Sequence, residues 1–136
     1  MRLEAERKAP IENPTDKKIR ATVLGLRSYG PSSFASITDG SGNYLQVAGG
    51  GTTCLLERRD AVEGRHYRAH HNEPSKVFED NTILAFSGGE IRLASDEWFD
   101  AGTVAEAFSA FLRGAEMPAK IKWRDVSPTL VESARR

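Results

Sequence analysis

Tyr44-Leu45-Gln46-Val47-Ala48-Gly49-Gly50-Gly51-Thr52-Thr53-Cys54-Leu55-Leu56-Glu57-Arg58-Arg59 sets two runs of strand character on either side of a triple glycine. Leu45 and Val47 alternate with polar neighbours, so they share one face of a strand. The three glycines predict a tight or bulged connection between strands. A phosphate cradle would need backbone N–H groups gathered at a helix start with a lysine close behind. Here a strand follows and no lysine is near.

The two-residue period extends in both directions. Upstream, Ala35 and Ile37 share a face, and Asp39-Gly40-Ser41-Gly42-Asn43 turns the chain into the quoted run. Downstream, Asp60-Ala61-Val62-Glu63-Gly64 reverses it into His66-Tyr67-Arg68-Ala69-His70, which Asn72-Glu73-Pro74-Ser75 interrupts. Ser87-Gly88-Gly89 joins two further candidate strands, residues 82–86 and 90–94. Residues 121–124 add a short extended segment.

Helical spacing flanks this region. Val104, Ala107, Phe108, Phe111 and Leu112 form one apolar stripe, opened by Asp100 as a cap and closed by Gly114. Nearer the start, Ile19, Val23 and Leu26 predict a helix over residues 14–28, with Asn13 as its cap, Pro14 at its first position and Asp16 in its first turn. Ile19, Ala21 and Val23 also alternate as a strand would. The expected fold is α+β: an antiparallel β-meander of about five to six strands with two helices packed on one face. Residues 1–12 read as a flexible start, 13–126 as a single domain and 127–136 as a polar tail.

With 136 residues, the chain has room for one core. Its 19 basic and 19 acidic residues cancel, which argues against nucleic acid as a direct ligand. Charge is nonetheless uneven: residues 57–106 carry eleven carboxylates against six Lys and Arg, a local excess of five negative charges. That segment is either a solvated face or a surface for a basic protein. The first eight residues lack the apolar centre of a secretion signal, and the single Cys54 fits a reducing compartment, so the expected location is cytoplasmic.

No reaction class emerges from the side chains. His71-Asn72-Glu73 matches the opening of the zinc deaminase signature, but those enzymes need two further thiolates and this chain has one cysteine, upstream. His66 and His70 fall on the same face of a strand without a completing ligand set. Cys54 reads as a small buried residue, and the pairs Glu79-Asp80 and Asp96-Glu97 as solvated acids. No cofactor, metal, membrane or small-molecule substrate is expected.

Tyr44-Leu45-Gln46-Val47-Ala48-Gly49-Gly50, followed by Leu56-Glu57-Arg58-Arg59, resembles small immunity proteins of bacterial polymorphic-toxin systems, the group often encoded beside nucleic-acid deaminase toxins. The resemblance extends to Pro14-Thr15, His66-Tyr67-Arg68-Ala69, the aromatic helix ending at Gly114, and Trp123. It implies a non-enzymatic cytoplasmic protein that binds one cognate toxin domain and blocks its active site or substrate access. The alternatives are a secretion chaperone or adaptor for an effector, and a small-molecule enzyme.

A basic toxin would be drawn to acidic residues beside an aromatic anchor. Asp96-Glu97-Trp98-Phe99-Asp100 supplies both. The candidate partner-binding residues are therefore Glu79, Asp80, Asp96, Glu97 and Trp98, with Tyr67 and Arg68 beside them. Trp98 and Phe99 have a second reading, as core residues that tuck the following helix onto the sheet.

Overall fold

The structure, a computed structural model, describes residues 1–127. The polar tail expected at 127–136 lies, from residue 128 onward, outside the described residues. Among the described residues, nine strands and two helices follow in order: β1 (Arg2–Ala5), β2 (Ile11–Glu12), α1 (Asp16–Leu24), β3 (Phe34–Thr38), β4 (Tyr44–Gly50), β5 (Thr53–Asp60), β6 (Arg65–His70), β7 (Thr82–Phe86), β8 (Gly89–Leu93), α2 (Ala101–Arg113) and β9 (Lys122–Asp125). The α+β class is as the sequence predicts. The main sheet has seven antiparallel strands in the order β2-β1-β3-β4-β5-β6-β9.

Alternation sorts the two faces of this sheet. Leu3, Ala35, Ile37, Leu45, Val47, Cys54, Leu56 and Ala69 point to one side, where Ile19 and Val23 of α1 and Val104, Ala107 and Phe108 of α2 complete the core. Both helices therefore pack on that face. Asp100 caps α2 by accepting from the Thr103 backbone N–H, and Gly114 closes it in the left-handed conformation. Among the described residues no helix is long and apolar enough to cross a membrane.

Three boundaries differ from expectation. Residues 1–12, expected to be loose, contain β1 and β2; Leu3 is 2 % exposed and β1 pairs with β3 over four residues. Alternating charges on Arg2 and Glu4 hide so short a strand, and its longer pairing, with β3, joins residues thirty or more positions apart. The cap of α1 is Thr15, whose hydroxyl accepts from Lys18 N–H, and not Asn13. Asn13 has φ 51° and donates its N–H to the Met1 carbonyl, so it serves the turn out of β2. Lastly, α1 stops at Leu24, because Leu26 is drawn into the core against the triple glycine. A Cβ on Gly50 would sit 2.2 Å from the Leu26 carbonyl oxygen.

The hairpin β7–β8 does not extend the meander. It forms a separate two-stranded sheet. Its Leu84 and Leu93 pack on Ala48 and Leu55, on the face turned away from the helices. Trp98 joins this second cluster and stacks on Phe78 with ring centroids 4.4 Å apart.

Candidate functional site: the hairpin-side sheet face

The hairpin covers only one end of its face. Register places Glu4, Ser36, Gln46, Glu57, Arg68 and Arg124 in one row across β1, β3, β4, β5, β6 and β9. A parallel row beyond it holds Arg2, Thr38, Tyr44, Arg59 and His66. Polar residues in the interior of central strands need partners when they are buried. Here they find one another.

Glu57, 8 % exposed, is the hub. Its Oε1 accepts from Gln46 Nε2 at 3.0 Å. Its Oε2 lies 3.2 Å from Arg68 Nε and 3.6 Å from His66 Nε2. Burial pushes the Glu57 carboxyl up, but the His66 hydrogen bond, the Arg68 charge and the Gln46 hydrogen bond outweigh it and hold the group below its ordinary value. Arg68 then reaches Glu97 at 3.6 Å. Glu97 arrives from the turn after β8, accepts from the Ala94 N–H at 2.6 Å and pairs with Arg124 Nη1 at 2.9 Å. Arg124 also donates to Asp96 at 3.0 Å, and this hydrogen bond leads the effects that raise the guanidinium above its usual range. His70 Nδ1 stands 3.9 Å from Asp96. The result is a continuous lattice of three carboxylates and two guanidiniums, fixed before any partner arrives.

Between this row and the hairpin runs a groove of about 390 Å³. Ala48 and Leu55 floor it, Phe34, Phe86 and Ile91 wall its apolar side, and Ser36, Gln46 and Glu57 line its polar side. Phe34 meets Phe86 edge-on at 6.3 Å. Ser33 and Ser87 tie the hairpin tip to the sheet through the Glu6 carboxylate, which accepts from Ser33 N–H at 2.8 Å and from the hydroxyls of both serines.

The seven residues singled out from sequence disperse over the molecule. Glu79 and Asp80 are exposed on the loop before β7, where Asp80 accepts from the Ser95 N–H at 2.8 Å. Asp96 and Glu97 belong to the lattice, and Glu97 is 4 % exposed. Trp98 lies under the hairpin at 8 % exposure. Arg68 faces the groove side. Tyr67 faces the helix side, its ring 4.7 Å beneath the Arg58 guanidinium, with Trp123 at 4.8 Å on the same group. Adjacent residues of a strand point oppositely, so Tyr67 and Arg68 do not share a patch.

His66 and His70 do share a face, yet each meets its own carboxylate. His71 places Nε2 2.8 Å from the Trp98 carbonyl and accepts the Glu73 N–H on Nδ1 at 3.1 Å, which fixes its neutral tautomer and pins the loop. Cys54 is 1 % exposed, and burial pushes its thiol up to about 12.

Gln46, Glu57 and Arg124, central to the face, were not among the residues singled out. For Gln46 and Glu57 the signal was a polar residue beside apolar ones within a strand; Arg124, in the charged run Lys122-Trp123-Arg124-Asp125, carried none. Neither a protein-family model nor a curated protein sequence matches this chain.

Proposed function

We propose that this chain is an immunity protein of the cytoplasm: it binds a cognate toxin domain, a nucleic-acid deaminase by the resemblance, and blocks its active site or substrate access without turning over a substrate itself. One observation carries the reading. Tyr44, Gln46, Glu57 and Arg68, all within the motifs that bear the resemblance, lie on one face and not scattered through the core. Three of them are joined through Glu57 in the ion lattice.

The chemistry of that lattice suits binding. A general acid or base must exchange a proton near the working pH, whereas Glu57 is held ionised by neighbours that occupy both its oxygens. Side chains already locked in place lose little freedom on association, so more of the contact energy remains as affinity. The hairpin wall adds an apolar edge to a polar platform, the composition of a tight interface.

The test is co-expression with the product of the adjacent gene, which this reading expects to carry the toxin domain. The protein should co-purify with that domain, restore growth and suppress its activity in vitro. Normal toxin activity in the presence of a stoichiometric excess would refute the reading. Binding with activity intact would favour a chaperone or adaptor instead.

A further inference from the structure

We propose that the groove between the hairpin and the polar row is a receptor for one long basic side chain, arginine in first place, projecting from the partner protein. The inference deepens the inhibitor reading and rests on it for the partner's identity. The groove alone supplies the chemistry.

Its volume, about 390 Å³, sits near the lower end of ligand pockets, about 300–1,000 Å³, so it takes a side chain and not a folded element. One side is apolar. Phe34, Phe86 and Ile91 offer aliphatic and aromatic surface for a methylene stem, and a guanidinium can lie over the rings.

The other side accepts hydrogen bonds. Gln46 donates its amide N–H to Glu57, which leaves its side-chain carbonyl without a partner among the described residues. Each carboxylate oxygen carries two acceptor sites, and Glu57 Oε1 has filled one of them with Gln46. The Ser36 hydroxyl stands beside them in the same row.

Charge points the same way. The ionisable residues that line the groove are Glu57 and Glu4, the latter sharing Arg2 with Glu12 at 3.3 Å from each, and no lysine or arginine lines the groove itself. Arg68 does neutralise Glu57, but it is shared with Glu97. Across the lattice, Glu57, Glu97 and Asp96 face only Arg68 and Arg124, which leaves one negative charge uncompensated before any histidine is protonated. A neutral apolar side chain would strip water from Ser36 and Gln46 without replacing it. An acidic one would meet Glu4 and Glu57. A basic side chain answers every feature at once, and its guanidinium form adds a planar fork for the acceptors.

The experiment needs no toxin. Capped Gly-Arg-Gly, Gly-Lys-Gly and Gly-citrulline-Gly peptides are titrated into the isotope-labelled full chain, with amide shifts read by NMR. The arginine peptide should move Ser36, Gln46, Glu57 and Phe86 saturably. Lysine should bind more weakly, and citrulline, the uncharged isostere, about tenfold more weakly. Because Glu57→Gln disturbs the lattice, the exposed Glu4→Gln at the groove mouth serves as a second variant and should weaken arginine binding about threefold at low salt. Equal binding of citrulline, shifts elsewhere on the surface, or no saturation would overturn the proposal. Saturable arginine binding without toxin neutralisation would keep the groove and sink the inhibitor reading. Neutralisation with a silent groove would do the reverse.

Discussion

Glu97→Gln removes one charge and almost no volume from a side chain that is 4 % exposed, and it tests whether the lattice holds the hairpin to the sheet. The carboxylate accepts from the Ala94 N–H on Oε1 and from Arg124 Nη1 on Oε2. An amide can keep only one of these contacts, because its NH2 would then face the other donor. Hydrogen bonds to charged groups contribute about 1.5–3 kcal/mol each, so loss of one predicts destabilisation of about 2 kcal/mol. Glu97→Lys is worse: it buries an ammonium between Arg68 and Arg124, where an uncompensated buried charge costs about 3–5 kcal/mol. Urea unfolding reads this directly. With a slope of about 2 kcal/mol/M, Glu97→Gln should lower the midpoint by roughly 1 M, while the exposed Glu79→Lys should change it by less than about 0.3 M. A Glu97→Gln midpoint indistinguishable from the unaltered chain would refute the idea that the lattice is structural. The same argument decides where an acidic surface can be probed. Charge reversal at Asp96 and Glu97 perturbs folding, so steering of a basic partner has to be measured at Glu79, where slower association that salt abolishes is the expected outcome.

Gly50→Ala should destabilise by about 2 kcal/mol or more, since the new Cβ would meet backbone at Leu26 that cannot rotate away. Gly40→Ala, where a Cβ meets nothing within 4 Å, should be neutral to slightly stabilising in the same urea unfolding. Glu57 has a folded pKa depressed below its ordinary 4.5, so its contribution to stability is complete above that pH and is lost as pH falls through the folded value. Acid titration of unfolding should therefore steepen below about pH 4.5, and Glu57→Gln should flatten that limb while lowering stability at neutral pH. Cys54, with its thiol at about 12, should resist alkylation at pH 8 in the native state and react in step with unfolding by denaturant. Rapid native labelling would contradict its burial.

Elements governed by near neighbours in the chain were legible. The stripe from Val104 to Leu112 and its caps at Asp100 and Gly114 predicted α2, because capping and amphipathic spacing act within a few residues. The turns at Asp39-Gly40-Ser41-Gly42-Asn43 and at the triple glycine were legible for the same reason. The ends of α1 were not. Asn13 is diverted by its bond to Met1, and Leu26 by the close approach of Gly50; both contacts arise from strands elsewhere in the chain. The hairpin β7–β8 was readable as a hairpin, yet its placement on the far face depended on Leu84 and Leu93 finding Ala48 and Leu55.

The functional face divides along the same line. Alternation in each strand dictates which residues share a side, and so separates Tyr67 from Arg68 without any knowledge of their neighbours. Which carboxylates remain free for a partner is another matter. Glu57, Glu97 and Asp96 lie in an acidic stretch that looks like solvated surface. Arg68 and Arg124 reach them only once β6 is in register beside β5 and β9 beside β6. Ion pairing depends on distance in space and on loss of water, and both are set by assembly of the sheet rather than by the order of residues along it.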